Sequence, residues 1–236
     1  LDLFPADQEH PIRIDFFGDE IEDIETFDPI SGLPIEKFDA QSLRDAIDLC
    51  DEKGILLVFD EIQAGLGRTG RLWAGEHWNT VPDILCLAKG IAGGVPMGAT
   101  LVRPDILAAI SKGEHSSTFG GNPISCAAGI AALTSITEDG LIENSKKMGE
   151  VFKEGLEKLK EKHTMIREIR GKGLMIGIEM KFEVKDILMG LIEEGVLMLY
   201  SGRNILRILP PLVIKEEDVR KVLHALDTVI TKEEEK

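Results

Sequence analysis

Two short apolar runs mark the middle of the chain. Ile55-Leu56-Leu57-Val58-Phe59 is too short for a helix and closes on the acidic pair Asp60-Glu61. Ile84-Leu85-Cys86-Leu87-Ala88 closes on Lys89 and is followed by Gly90, Gly93, Gly94 and Gly98. Runs of this length without alternation read as strands buried in a parallel sheet. Ala99-Thr100-Leu101-Val102 reads as a third strand. Ahead of them, Leu43, Ile47 and Cys50 form a helical stripe ended by Gly54. Behind them, Asn122 is a good N-cap with Pro123 at the first helical position, and the helix to about Ile136 is apolar nearly all round, which predicts burial.

The pattern changes after Leu141. Leu141, Met148, Phe152, Leu156 and Leu159 make one face of a helix reaching Lys162, with lysines and glutamates on the other. Strands are expected near Ile166–Ile169 and Leu174–Glu179, a helix over Val184–Glu194, short strands near Val196 and Ile205, and a last helix from Glu216. The charged end, Lys232–Lys236, is expected to fray. At the other terminus, Ile12–Phe17 and Glu20–Phe27 alternate as a hairpin with its turn at Gly18-Asp19. This acidic segment is expected to pack loosely or not at all against the rest.

Composition narrows the class. The chain has 236 residues, 43% of them hydrophobic, and a formal net charge of −15. That is globular, long enough for one large domain or two ordinary ones, and the wrong sign for a nucleic-acid footprint. Cys50, Cys86 and Cys126 are widely spaced and suit a reducing compartment; neither they nor the five histidines have metal-ligand spacing. No apolar stretch reaches bilayer length and no signal peptide opens the sequence, so the expected partners exclude membrane and nucleic acid and the expected location is cytoplasmic.

Candidate chemistry sits at the ends of the two buried runs. If the strands are parallel neighbours, Asp60 and Lys89 share the carboxyl edge where open α/β sheets bind ligands. A carboxylate and an amine are costly there unless employed. Pyridoxal phosphate chemistry employs this pair: a lysine to condense with the aldehyde and an aspartate to keep the pyridine nitrogen protonated. Two other readings of the stretch fail. Gly65-Leu66-Gly67-Arg68-Thr69-Gly70 matches G-x-G-x-x-G, but Asp60 and Glu61 precede it where their charge would oppose a pyrophosphate. Leu56–Glu61 looks like the magnesium strand of a P-loop ATPase, yet no G-x-x-x-x-G-K-[ST] accompanies it.

VFDEIQAGLGRTG, LAKGIAGGVPMGA, HSSTFGGNP, RGKGLMIGIE and NILRILPPL together resemble the class III, fold type I pyridoxal phosphate aminotransferases of acetylornithine type, over about residues 40–236. The resemblance implies an α/β fold: part of a fold type I large domain with a mostly parallel sheet, about 40–138, and an α+β small domain, about 139–236. It implies pyridoxal 5'-phosphate as cofactor, a small-molecule amino donor and a 2-oxo acid as substrates, and a homodimer. By the same resemblance Lys89 is the catalytic lysine and Asp60 the pyridinium partner. Gln63 contacts the ring hydroxyl, Thr118 and more weakly Ser117 reach a partner's phosphate, and Arg207 clamps a substrate carboxylate. Glu61 takes no role; Trp73, His77 and His115 read as structural.

Residues 1–39, which open LDLFPADQEHPIRIDFFGDEIEDIETFDPISG, instead resemble a segment of the damage-recognition module of excision-repair helicases and transcription-repair coupling factors. The chain thus reads as a join near Phe38–Ala40. The family's phosphate loop is not found in residues 1–39, so a truncated enzyme with a weakened cofactor grip is expected. Two other classes remain: an inert binding or scaffold module carrying the repair-like hairpin, and an ATP-dependent repair protein, which the acidic charge disfavours.

Overall fold

A computed structural model describes residues 2–5, 12–17, 20–27 and 34–38 as strand backbone, together with residues 47, 48, 50 and 52–235. The expected hairpin turn at Gly18-Asp19 and Leu43 of the expected helical stripe lie outside the described residues; Ile47 and Cys50 are helical, and Cys50 is buried. The chain divides into two compact units, one of residues 1–65 and 73–133 and the other of 66–72 and 134–236.

In the first unit β1 (Asp2–Pro5), β2 (Ile12–Phe17), β3 (Glu20–Phe27) and β4 (Pro34–Phe38) form an antiparallel meander. The β2/β3 pair runs from Ile12 opposite Thr26 to Phe17 opposite Glu20. The segment does not stand apart, as its composition suggested: β1 pairs antiparallel with β5 (Ile55–Leu56). The chain then passes Leu57 into β6 (Val58–Asp60), which pairs in parallel with β7 (Ile84–Leu87). β8 (Ala99–Val102) returns antiparallel to β7, so the three-stranded sheet is mixed. Ile55, Leu57 and Phe59 are buried on alternate positions, as a strand requires.

The Pro123–Glu138 helix begins as expected, with Asn122 Oδ1 accepting the Ser125 N–H at 2.9 Å. Its expected burial is not found. Gly129 turns inward, where an added Cβ would meet Met97 Sδ at 3.0 Å. On the other side Ile124 and Ile130 are 76% and 68% exposed. An all-apolar sequence states only that every face can be buried; which faces are depends on what packs there.

The second unit has a fuller core. β9 (Ile166–Lys172), β10 (Met175–Met180), β11 (Leu199–Ser201) and β12 (Ile205–Ile208) form an antiparallel sheet ordered β11-β12-β10-β9. The expected strand near Val196 lies three residues later, at Leu199. The Leu141–Lys162 helix contributes Met148, Phe152, Leu156 and Leu159, the Lys185–Glu193 helix Ile187 and Leu191, and the Glu216–Glu234 helix Val219, Leu226 and Ile230. Lys160 and Lys162 close the first of these helices where its dipole favours cations.

The chain end is not frayed up to Glu234. Both nitrogens of the buried His163 ring face carboxylates, Nε2 to Asp227 Oδ1 at 2.7 Å and Nδ1 to Glu234 Oε2 at 2.9 Å. Glu234 Oε1 also accepts the Met165 N–H at 3.1 Å. A second cluster holds the sheet, with the buried Glu179 accepting Arg167 Nη1 at 3.0 Å and Arg170 Nη1 at 2.9 Å.

The arginine hydrogen bonds hold Glu179 below the ordinary carboxylate range, and hydrogen bonds from Lys162 and His163 do the same for Asp227. A depressed folded pKa contributes stability above the unfolded value, lost as pH falls through the folded one. Chemical denaturation should therefore show the second unit losing stability below about pH 4.5. Glu179→Gln, which leaves two arginines without their carboxylate, should cost about 2–3 kcal/mol at neutral pH and flatten that acid limb.

Candidate active site

Leu57 sets the register of the parallel pair. Its N–H donates to Asp83 Oδ2 at 2.7 Å, and its carbonyl accepts from Asp83 N at 2.9 Å and Ile84 N at 3.1 Å. With Val58 opposite Ile84, Asp60 falls opposite Cys86, and the Glu61 N–H continues the ladder to the Cys86 carbonyl at 3.0 Å. Asp60 and Lys89 thus stand at the same, carboxyl end of adjacent strands. Both side chains are exposed. Asp60 Oδ1 accepts the Ile62 N–H at 3.0 Å, which orients the carboxylate.

Lys89 opens a short 3-10 helix, Lys89–Ala92, and holds φ at 49°. This left-handed region costs a residue with a Cβ about 1–2 kcal/mol, and such strain collects at functional positions. Gly93 closes the turn with φ 60°, and Gly94 follows with φ 110° and no atom within 4 Å of where a Cβ would be. Gln63 is half-buried in the turns after Asp60.

Ser117 and Thr118 lie in the same unit, both exposed. The Ser117 carbonyl accepts the Gly120 N–H at 3.2 Å, so Thr118 occupies a turn just ahead of the Pro123–Glu138 helix. Arg207 belongs to the second unit, on β12 opposite Gly177 and Leu199. It lines a cavity of about 200 Å³ with Phe152, Leu197, Leu199 and Pro210. Trp73 precedes the Ala74–Trp78 3-10 helix, His77 stacks edge-on against Trp78 at 5.9 Å, and His115 is exposed.

Glu61, left without a role by its sequence, is a buried strut. Its Oε2 accepts the Ala74 N–H at 2.7 Å and its Oε1 the Gly75 N–H at 2.9 Å. Burial pushes its carboxyl up, against the pull of those two amides. Asp60 and Glu61 therefore divide the work, one facing the open edge and one closing the loop behind it. An acid directly after a buried run, followed by glycines, was the available signal.

The G-x-G-x-x-G stretch is packing machinery. Residues 66–72 belong to the second unit, where a Cβ on Gly67 would meet Ile142 Cγ1 at 3.3 Å and one on Gly70 would meet Lys146 Cβ at 3.0 Å. Arg68 donates to the carbonyls of Pro210 and Leu174, and its own carbonyl accepts from Ser145 Oγ at 2.9 Å and Leu174 N at 2.9 Å. These glycines admit side chains and backbone, with no room for a phosphate.

The sequence pattern of the aminotransferase class-III family matches residues 35–230. The chain belongs to that family. The acetylornithine aminotransferase of Caldanaerobacter subterraneus is 47% identical over 184 residues, which is 78% of this chain and 47% of the relative. That of Methanocaldococcus jannaschii is 44% identical over 207 residues, 86% of this chain and 52% of the relative. Among solved structures, an ornithine aminotransferase from Toxoplasma gondii superimposes with a TM-score of 0.78 at 38% identity, covering 82% of this chain and 47% of that one. The acetylornithine aminotransferase of Elizabethkingia anophelis does so at 0.76 and 37%, covering 80% and 49%. The chain spans about half the length of the curated relatives it matches. A second pattern, the UvrB interaction domain, matches residues 1–46, so the two resemblances overlap at the expected join. The fold is that of the fold type I aminotransferases, enzymes that use pyridoxal 5'-phosphate.

Two substitutions separate strain from packing. Lys89→Gly should raise thermal stability by about 1 kcal/mol, because glycine occupies the left-handed region without penalty. Gly173→Ala should prevent the second unit from folding, since its Cβ would fall inside the Thr69 peptide. Circular dichroism melts read both.

Proposed function

We propose that this chain is a class III aminotransferase segment that binds pyridoxal 5'-phosphate through Lys89 and Asp60. Its reaction, by kinship, moves the terminal amine of an acetylornithine-like donor to 2-oxoglutarate, in the cytoplasm and as a homodimer. The observation carrying this reading is the parallel register that sets Asp60 and Lys89 at one sheet end. The division into a repair-like segment 1–39, a large-domain part 40–138 and a small domain 139–236 goes with the same reading.

When bound, the cofactor supplies an aldehyde and an electron-withdrawing ring. Lys89 Nζ is the nucleophile toward the aldehyde and, once free, the base that moves a proton at the amine-bearing carbon. Asp60 holds a proton on the ring nitrogen. Gln63 offers its amide to the ring hydroxyl. Thr118, with Ser117 beside it, donates a hydroxyl to a phosphate of a partner copy, and Arg207 grips a substrate carboxylate through its planar fork.

Adding pyridoxal 5'-phosphate tests this directly. A shifted visible band should appear, and borohydride should fix the label on the peptide containing Lys89. Lys89→Ala should abolish that labelling; Asp60→Ala should keep the label and change the spectrum. Label spread evenly over surface lysines would refute the site and favour the inert scaffold, the reading that the UvrB interaction domain match at residues 1–46 keeps alive.

A further inference from the structure

The strand carrying Asp60 has different neighbours along its two sides. Toward β7 it is paired from Leu57 onward. On the other side, β1 lies antiparallel along its first two residues, with Phe4 opposite Leu56 and Pro5 opposite Ile55. Pro5 has no N–H, so the exchanged pair of ladder bonds must fall on Phe4 and Leu56. Beyond that point β6 is the last strand of its sheet among the described residues. β1 is in turn the end member of the four-stranded meander, which therefore adds to the aminotransferase strand through one short ladder.

A strand of a parallel sheet left at an edge presents its N–H and C=O groups to any other chain, and long, apolar edges aggregate. Ile55-Leu56-Leu57-Val58-Phe59 is such a sequence: β-prone, uncharged and free of proline. β1 meets it with the opposite polarity, over two residue pairs only.

We propose that β1, held by the meander, is an edge cap in cis. It occupies the Leu56 hydrogen-bonding groups, keeps copies of this chain from pairing through that edge, and steadies the strand that leads into Asp60. The cap is removable, since two residue pairs hold it.

The test uses the full chain. In the parent, the Leu56 amide should be protected from hydrogen exchange. Phe4→Pro, which deletes the donor facing Leu56, should speed that exchange about tenfold, the equivalent of one backbone hydrogen bond, while β9 to β12 are unchanged. The same variant should self-associate by light scattering at concentrations where the parent is monodisperse. As an independent check, cross-strand Cα atoms in a hydrogen-bonded antiparallel pair stand about 5.5 Å apart, within disulfide range. Phe4→Cys with Leu56→Cys should therefore form a 4–56 disulfide on mild oxidation, mapped by peptide mass against native Cys50, Cys86 and Cys126, and should not associate. A freely exchanging Leu56 amide in the parent, no 4–56 disulfide, or a Phe4→Pro protein as monodisperse as the parent each overturns the proposal.

Discussion

The three hydrogen bonds between Leu57 and the Asp83-Ile84 backbone and side chain are the constraint on which the candidate site depends. They fix which residue of β6 lies beside which residue of β7. A slip of one position would turn Asp60 to the other face of the sheet, because strand side chains alternate. The strand is held hardest at its start and carries its chemistry at its end, where the backbone leaves the ladder and Lys89 enters the left-handed region.

The carboxylates around this framework do three kinds of work, distinguished by solvent and partners. Asp60 is exposed and takes one backbone N–H, which leaves it lone pairs for a ligand. Glu61 is buried and commits both oxygens to amides of a loop. Glu179 is buried and faces two guanidinium groups, so its charge is kept and its position set. Asp60 and Glu61 are chain neighbours of nearly the same chemistry, and alternation alone assigns one to the edge and the other to the interior.

Glycine shows a similar split. Gly94 borders open space, whereas Gly67, Gly70 and Gly173 are lodged against side chains or backbone of the second unit. A Cβ on Gly70 would meet Lys146, and one on Gly173 would collide with the Thr69 peptide. The stretch from Gly65 to Gly70 thus has the spacing of a nucleotide loop and the surroundings of a helix–loop contact. A regular expression cannot separate these, because spacing records where side chains are missing and says nothing of what fills the gap.

Much of this was legible in the residues. The apolar runs before Asp60 and Lys89, the Asn122-Pro123 helix start, the stripe from Met148 to Leu159 and the β2/β3 pair all follow from local period and capping, which are properties of consecutive residues. Family kinship was legible too, because several motifs stand in order. What consecutive residues could not determine depends on distant ones: the antiparallel sense of β8, the bare apolar side of the Pro123–Glu138 helix, the strut made by Glu61 and the latch of Glu234 on His163. The N-terminal meander is the clearest case. Its own alternation predicts a hairpin and is silent about a neighbour, while its ladder to Leu56 exists because a strand some fifty residues later has an edge to fill. Period and capping are local energies; pairing and burial are decided between segments, and only the tertiary structure brings those segments together.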